Sequence, residues 1–184
     1  MARTPSNMLA LGTKACEFEL TDMISGQKKK LSSLKGDRAT VIYFICNHCP
    51  FVLHTIEELV DIAKVYDDFG FSFIAISSND IVNYPEDSPE NMKKFASKND
   101  FQFPYLYDET QEVAKAYEAA CTPDIFVFDK DLLLVYRGQL DDSRPGNGIP
   151  VTGKDLRRAV QNMLDGRPID PLQKPSIGCN IKWK

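Results

Sequence analysis

The sequence predicts an α/β fold in which a mixed central sheet is flanked by helices, with an N-terminal β-hairpin before it and an irregular C-terminal tail after it. Apolar, β-branched runs at 38–45 and 71–78 enclose a segment of helical periodicity. That strand–helix–strand order indicates parallel strands. Two further strand-like runs, 124–129 and 132–138, are joined by a tight turn, which indicates an antiparallel edge.

Length and composition favour a single domain over the whole chain, residues 1–184. The chain has 184 residues, of which 43% are hydrophobic and 26% are charged, proportions typical of a soluble globular protein. A chain of this length can bury a sizeable core. No internal repeat and no linker to a second domain is visible in the sequence.

The first half of the chain is predicted to form a hairpin, a strand, a helix and a second strand. Residues 16–31 alternate and turn at Ser25–Gly26, as a β-hairpin does. The continuous apolar run 38–45 is typical of a central strand covered on both faces. Apolar residues then recur at helical spacing from about 50 to 67, with Pro50 in the first turn, where its missing N–H costs nothing.

The second half continues with a polar loop and three helices around the final strand pair. Ser88 is predicted to cap a helix that runs to about residue 97, and a short helix is expected near 110–119. The last helix is predicted at 154–164, with Thr152 as its cap. The tail, 165–184, is rich in proline and is predicted to be irregular.

Charge and hydropathy exclude two classes of partner. The formal net charge is -4, and no basic face of the kind that nucleic-acid binding needs is apparent. No stretch approaches the roughly 18 apolar residues of a membrane span. The N-terminus lacks the apolar segment of a secretory signal. We therefore expect a cytoplasmic protein with neither a nucleic-acid nor a membrane partner.

The cysteine pattern indicates redox chemistry rather than a disulfide framework. An odd, sparse set of five cysteines in a chain of this length is not typical of structural bridging. Two of them, Cys46 and Cys49, form a CxxC motif at the end of a predicted strand and the start of a predicted helix. Residues at this spacing have Cα atoms about 5–6 Å apart, within the range that a disulfide accepts.

The helix start suggests different roles for the two thiols. Unpaired N–H groups and the helix dipole at this end stabilise negative charge, so a Cys46 thiolate is expected to accept bonds from the amides of residues 48 and 49. A protonated His48 would act in the same direction. Cys49 is expected to be more buried and to keep its proton longer. Cys46 is thus predicted to attack, and Cys49 to resolve the mixed disulfide.

Two further hypotheses for the motif stay open. The cysteines could be core residues that lie close by chance, or they could belong to a zinc-binding module. Structural zinc takes four ligands, whereas the CxxC motif supplies two and no second such pair occurs in the sequence. We therefore predict no metal and no cofactor.

The order of elements and several motifs resemble a known family. A strand, CxxC, a helix, a strand, a helix and then "TPD" before a strand pair is the layout of the thioredoxin fold, over roughly residues 38–165. The strings "CNHCP", "CTPDIFVFD", "YRGQLDDSRP" and "PSIGCNIKWK", with the N-terminal hairpin, resemble the redoxin or AhpC/TSA branch of the thioredoxin-like superfamily.

This resemblance implies an activity, partners and a substrate site. It implies a thiol–disulfide oxidoreductase whose substrates are protein or small-molecule disulfides and thiols, with a cellular reductant such as thioredoxin or glutathione. It also implies that Pro123 is cis and faces the CxxC motif, and that the backbone of Thr122 offers hydrogen bonds to a substrate strand.

The sequence departs from a typical thioredoxin in three places near the motif. Ile45 replaces the tryptophan before the first cysteine, and Asn47-His48 replaces Gly-Pro between the cysteines. The buried acid beneath the motif would fall at Thr40, which cannot accept a proton. A histidine before the second cysteine resembles the more oxidising members, whose potentials are about −120 and −180 mV, against about −270 mV for thioredoxin.

A peroxidase of the peroxiredoxin type is the main rival function. Its Pro–Thr/Ser–Cys fingerprint fits neither cysteine of the motif, and the candidate for its arginine, Arg137, lies at the far end of a predicted strand. Cys121 and Cys179 are candidate accessory thiols. Cys121 precedes the "TPD" string and Cys179 lies in the tail, and either one could instead simply be packed in the interior.

Overall fold

The computed structural model describes residues 3–184. The strands are β1 (Arg3–Pro5), β2 (Glu19–Asp22), β3 (Lys28–Lys30), β4 (Ala39–Phe44), β5 (Phe71–Ser77), β6 (Tyr105–Tyr107), β7 (Cys121–Thr122), β8 (Asp124–Asp129), β9 (Leu134–Arg137) and β10 (Ile177–Asn180). The α-helices are α1 (Leu31–Leu34), α2 (Pro50–Tyr66), α3 (Pro89–Lys98), α4 (Glu112–Ala116) and α5 (Lys154–Leu164), and short 3-10 helices cover Asp67–Phe69 and Pro85–Asp87.

Seven strands form a mixed sheet in the order β3-β2-β6-β5-β4-β8-β9. Strands β4, β5 and β6 run parallel to one another, whereas β8 and β9 are antiparallel and end the sheet. The parallel portion and the antiparallel edge are thus confirmed. The N-terminal hairpin is also confirmed in a shorter form, β2 with β3. Strand β6 escapes sequence prediction because it is only three residues long, too short to show alternation.

Strand β4 lies inside the sheet and is buried on both faces. Its side chains alternate, so that Val41 and Tyr43 join the core on the side of α2 and α5, while Ile42 and Phe44 join a second core that includes Tyr117. This alternation follows from the two-residue period of a strand. A strand covered on both faces can be apolar throughout, which is why this run is the clearest strand signal in the sequence.

The last helix begins as predicted but is capped differently. Gly153, in a left-handed conformation with φ of 61°, is its N-cap, so the prediction that Thr152 caps α5 is wrong. The Asp141 carboxylate instead accepts the N–H groups of Thr152 and Gly153, each at 2.7 Å. The carbonyl oxygen of the neighbouring Leu140 accepts the N–H groups of Asp155 and Leu156 in the first turn, which are the donors that a hydroxyl cap would serve.

The C-terminal tail is the main correction to the predicted fold. The prediction of an irregular tail is wrong for residues 177–180, which form β10 at the centre of a second sheet of order β1-β10-β7. In this sheet Cys179 lies opposite Thr122, and Gly178 lies opposite Thr4. The local sequence hides this strand because Gly178 has low strand propensity and its pairing partners are far away in the chain.

Gly178 has a steric reason to be glycine. A Cβ at this position would lie 2.6 Å from the carbonyl carbon of Thr122 and 3.2 Å from the nitrogen of Pro123. The first distance is shorter than the sum of the van der Waals radii. The contacted atoms belong to the backbone, which cannot rotate out of the way as a side chain can. The close approach of β10 to β7 therefore requires the absence of a side chain at residue 178.

The length and hydropathy of the helices bear on one question, whether any of them could cross a membrane. Across residues 3–184, no helix combines the length and apolar character needed to cross a membrane.

We predict that Gly178→Ala destabilises the protein by about 1–3 kcal/mol, the usual cost of forcing extra volume into a packed site. The added methyl group would push β10 away from Thr122. Urea unfolding followed by circular dichroism measures the change in the free energy of unfolding. Leu172→Ala, at an exposed position of the same tail, is the control and should change that free energy by less than about 0.5 kcal/mol. Equal effects of the two substitutions would contradict the steric role of Gly178.

Candidate active site

The two cysteines of the CxxC motif lie where the sequence placed them, at the junction of β4 and α2. Cys46 follows the end of β4 by two residues, and Cys49 is the N-cap residue of α2. Both side chains are buried, whereas Asn47 and His48 between them are partly exposed. The motif thus forms a short loop whose thiols point inward and whose middle residues reach the surface.

Thr122 and Pro123 face this pair, as the resemblance implied. The Thr122–Pro123 peptide bond is cis. The Thr122 hydroxyl lies 3.5 Å from the Cys46 sulfur, and its carbonyl oxygen accepts a hydrogen bond from the Cys49 thiol at 3.1 Å. One residue therefore contacts both sulfurs through two different groups.

The backbone edge of the strand that contains Thr122 is already paired with another strand of the same chain. That strand, β7, pairs antiparallel with β10, and Cys179 is the partner of Thr122 in that register. The expectation that the Thr122 backbone is open to a substrate strand is therefore wrong in this conformation. An incoming chain would have to displace β10 or approach from the side of the exposed Asn47–His48 loop.

The two candidate accessory thiols differ in their relation to the motif. Cys179 is buried in the same cluster as Cys46 and Cys49, and its thiol interacts with that of Cys49. The Cys121 thiol instead donates to the carbonyl oxygen of Pro123 at 3.5 Å, and neighbouring residues of a strand point to opposite faces. The structure therefore brings Cys179, and not Cys121, into bonding contact with the pair.

A buried carboxylate, Asp87, completes the site. It is fully buried, and it accepts the N–H of Asn47 and the side-chain amide of Asn79, each at 2.7 Å. One of its oxygens lies 2.8 Å from Nδ1 of His48. Because the Asn47 amide is part of the CxxC loop, Asp87 both holds that loop and places a negative charge next to it.

His48 lies near Cys46, and its nearest polar neighbour is Asp87. Its Nδ1 lies 2.8 Å from a carboxylate oxygen of Asp87, but the angles at this contact are not those of a hydrogen bond. Its ring stacks on Tyr84, with ring centroids 5.7 Å apart and planes at 4°. A ring nitrogen of His48, the Cys46 sulfur and an Asp87 oxygen all lie within 4.8 Å of one another, so a charge on His48 would act on Cys46 directly as well as through Asp87. The prediction that His48 tunes the couple stays a prediction.

Three residues of the site, Asp87, Asn79 and Tyr84, are not predicted from the sequence, where the polar loop after β5 shows only the features of a connection. A usable signal does exist, because the carboxyl ends of neighbouring parallel strands meet at one edge of a sheet. Strands β4 and β5 are such neighbours, so the residues after β5 have to lie beside the residues after β4.

The electrostatics of the pair reverse the predicted order of acidity. The hydrogen bond from Cys46 lowers the pKa of Cys49 to about 5, against the opposing effect of burial. The pKa of Cys46 is raised well above its ordinary value by that same bond, by burial and by the charge of Asp87. These shifts oppose the prediction that Cys46 is the more acidic thiol of the pair.

Two structural facts account for this reversal. The helix begins at Pro50, so that Cys49 is its N-cap residue and the nearby backbone N–H of Val52 helps to lower its pKa. Cys46 lies beyond the helix end and beside the Asp87 carboxylate, and a like charge disfavours a thiolate. The sequence pattern shows the helix start but not the buried acid.

The same residues form the cluster that most resembles a metal site in the described part of the chain. A sulfur of Cys46, a ring nitrogen of His48 and a carboxylate oxygen of Asp87 lie within 4.8 Å of one another. These are ligand types that zinc accepts, but a structural zinc site uses four protein ligands. The cluster thus offers three ligands, one of which is also a redox thiol.

Comparisons with known proteins agree with this chemistry. The family model described as the AhpC/TSA family matches residues 11–137. A protein of Geobacillus kaustophilus (strain HTA426) described as thiol-disulfide oxidoreductase ResA is 28% identical over 130 residues, which cover 70% of this chain and 68% of that protein.

Solved structures extend the similarity to the whole chain. The crystal structure of an uncharacterized conserved protein from Geobacillus kaustophilus is 62% identical, with a TM-score of 0.98, and the match covers 100% of this chain and 97% of that one. The thioredoxin domain of thiol-disulfide oxidoreductase BVU-2223 from Bacteroides vulgatus is 19% identical, with a TM-score of 0.67, over 85% of this chain and 99% of that one. The chain has the thioredoxin fold.

We predict that the reduced protein carries a thiolate at neutral pH that is protonated as the pH falls through about 5, because the pKa of Cys49 is lowered to about 5. The ultraviolet absorbance of the thiolate, followed as a function of pH, measures this protonation. The measurement uses a Cys16→Ser background, which removes the exposed thiol. Cys46→Ala should move the midpoint to higher pH, since the hydrogen-bond donor is lost. Cys46→Ser keeps a donor and should move it less. Persistence of the neutral-pH signal in Cys49→Ser would contradict this assignment.

We predict that Asp87→Asn lowers the pKa of Cys46 toward its ordinary value, since the carboxylate charge raises it. The pH dependence of iodoacetamide alkylation of Cys46, followed by mass spectrometry, measures the change. Asp100→Asn, which alters an exposed carboxylate paired with Lys64, is the control and should leave the alkylation profile unchanged. An unchanged profile in Asp87→Asn would show that the buried carboxylate does not act on the thiol.

Proposed function

The chain belongs to the AhpC/TSA family, and we propose that it is a thiol–disulfide oxidoreductase in which Cys46 and Cys49 alternate between dithiol and disulfide. One observation carries this proposal: both sulfurs contact the same residue, Thr122, whose hydroxyl lies 3.5 Å from Cys46 and whose carbonyl oxygen lies 3.1 Å from Cys49. A pair that already lies in contact can close its disulfide with little backbone movement.

The reaction begins with attack on a substrate disulfide. The Cys46 thiolate forms a bond to one substrate sulfur, and the other substrate sulfur leaves as a thiolate and takes up a proton. Cys49 then attacks the Cys46 sulfur of this mixed disulfide, which releases the second substrate thiol. The substrate disulfide is reduced to two thiols, and the pair is oxidised to the Cys46–Cys49 disulfide.

A proton shift within the pair supplies the attacking thiolate. The pKa shifts favour the resting charge on Cys49, whereas Cys46 follows the sheet and precedes the partly exposed loop through which a substrate can approach. Transfer of the shared proton from Cys46 to Cys49 produces the nucleophile. The carbonyl oxygen of Thr122, 3.1 Å from the Cys49 sulfur, accepts the hydrogen bond of the newly protonated thiol. Thr122 thereby supports the reactive form of the pair.

A cellular dithiol or glutathione returns the oxidised pair to the thiol form. Thioredoxin would do so as a dithiol, and two glutathione molecules would do so in sequence; both are reductants of the cytoplasm. The odd and sparse set of cysteines supports the placement of this chemistry in a reducing compartment. Assays of reoxidised protein with each reductant separately would identify the donor.

A thiol peroxidase is the second candidate, and family membership favours it. Its polarising arginine is not supplied by Arg137, which is buried, donates to the Glu118 carbonyl oxygen and pairs with Asp124. Consumption of hydrogen peroxide in the absence of thioredoxin distinguishes the two functions. Rapid turnover of peroxide with no reduction of insulin disulfides would favour the peroxidase.

A zinc-carrying module is the third candidate, supported by the cluster of Cys46, His48 and Asp87. Its discriminating observation is the metal content of the purified, reduced protein. Stoichiometric zinc without any thiol–disulfide exchange would favour the module.

We predict that Cys46→Ser and Cys49→Ser each abolish the reduction of insulin disulfides, while Cys16→Ser, at an exposed position, retains it. Cys49→Ser should accumulate a mixed disulfide with insulin through Cys46, because the resolving thiol is missing. Non-reducing electrophoresis and peptide mapping measure the adduct. If Cys46→Ser traps insulin and Cys49→Ser does not, the roles of the two thiols are reversed.

A further inference from the structure

We propose that Cys179 is a third redox thiol of this site, which takes the disulfide over from Cys46 and forms a Cys49–Cys179 bridge. The inference rests on the proposed function, and it assigns to the C-terminal strand a chemical role in the same reaction.

The first observation is the position of β10. It pairs with β7, the two-residue strand next to the cis peptide bond, and places Cys179 directly opposite Thr122. Thr122 is the residue that contacts both thiols of the motif. The C-terminal strand therefore occupies the edge beside Pro123 that an extended substrate would otherwise use, and it presents a cysteine there.

The second observation is direct contact between thiols. Cys46, Cys49 and Cys179 belong to one buried cluster, in which the Cys179 thiol interacts with Cys49 and Cys49 interacts with Cys46. The three sulfurs thus form a chain with Cys49 in the middle. Cys49 is the sulfur that either neighbour can reach, so two alternative disulfides share it.

The third observation is that the tail is held firmly in this position. The N–H of Lys182 donates to the side-chain oxygen of Asn79 at 2.9 Å. The Lys182 carbonyl oxygen accepts the N–H of Asp80 and the side-chain amide of Gln111, both at 2.8 Å. Asn79 also binds Asp87, so one amide joins the tail to the carboxylate beneath Cys46.

Close approach also depends on the residue before Cys179. Glycine is the only residue type at position 178 that lets β10 approach the Thr122 carbonyl group so closely, because a Cβ there would lie 2.6 Å from the carbonyl carbon. The glycine therefore sets how near the Cys179 sulfur comes to Cys49.

The exchange step needs no external reagent. Starting from the Cys46–Cys49 disulfide, the Cys179 sulfur loses its proton and bonds to the sulfur of Cys49. The Cys46–Cys49 bond breaks, and Cys46 leaves as a thiolate that takes up the proton. One disulfide is exchanged for another, and no net oxidation occurs. The product keeps two oxidising equivalents at Cys49–Cys179 while Cys46 is again a thiol.

Cys121 provides a matched comparison. It lies in the same strand pair, opposite Asn180, and it is buried like Cys179. Its thiol bonds to the Pro123 carbonyl oxygen instead of Cys49. A disulfide that formed from mere burial in this region would include Cys121 as readily as Cys179.

The test uses the full chain with Cys46→Ser, oxidised with diamide, quenched in acid, alkylated and mapped by non-reducing mass spectrometry. We expect one intramolecular disulfide, Cys49–Cys179, that is reversed by dithiothreitol. It should be absent from Cys46→Ser/Cys179→Ser and present in Cys46→Ser/Cys121→Ser. A Cys49–Cys121 bridge, or reduced Cys49 and Cys179 after oxidation, would overturn the proposal.

The wild-type protein gives an independent measurement, in case a variant fails to fold. Oxidation with one equivalent of diamide should yield both the Cys46–Cys49 and the Cys49–Cys179 linked peptides. If the protein reduces insulin disulfides but yields the Cys46–Cys49 peptide alone, the proposed function stands and the role of Cys179 is refuted. If no disulfide involving Cys49 forms and insulin is not reduced, the proposed function itself fails.

Discussion

The site depends on one contact, between the Cys49 sulfur and the carbonyl oxygen of Thr122 at 3.1 Å, which is a hydrogen bond whenever Cys49 carries its proton. It joins the two halves of the fold, since Cys49 begins α2 beside the parallel strands and Thr122 belongs to β7 in the second sheet. That position of Thr122 is maintained by β10, whose glycine allows the close approach. A C-terminal strand far away in the sequence thus determines the surroundings of the CxxC thiols.

A second constraint is the number of negative charges that the site can hold. Asp87 is buried next to Cys46, and the pKa shifts favour a thiolate at Cys49 over one at Cys46. A second thiolate at Cys46 would place three negative groups in one buried region, which desolvation and repulsion oppose. The pair therefore shares one proton, and its reactivity follows from where that proton lies. This links the buried loop after β5 to the acidity of the cysteines.

Much of the fold was predictable because its signals are local. The run 38–45 showed a strand buried on both faces, and Pro50 marked the helix start that makes Cys49 its cap. The parts that were not predictable depend on distant partners. Strand β10 is stabilised by pairing with residues more than fifty positions away, and Asp87 reaches Cys46 through the order of the strands rather than through sequence spacing. For that reason the pKa shifts of the thiols oppose the order predicted from the sequence.

Cys49 is the sulfur that both proposed disulfides, with Cys46 and with Cys179, have in common. A redox titration in which the free thiols are counted tests that role. The wild-type protein and Cys49→Ser are equilibrated in glutathione buffers of graded ratio, quenched in acid and alkylated, and the alkylated thiols are counted. We expect a two-thiol transition in the wild-type protein that is absent from Cys49→Ser, because each proposed intramolecular disulfide contains Cys49. An intramolecular disulfide in Cys49→Ser, or five thiols at every ratio in the wild-type protein, would contradict this role.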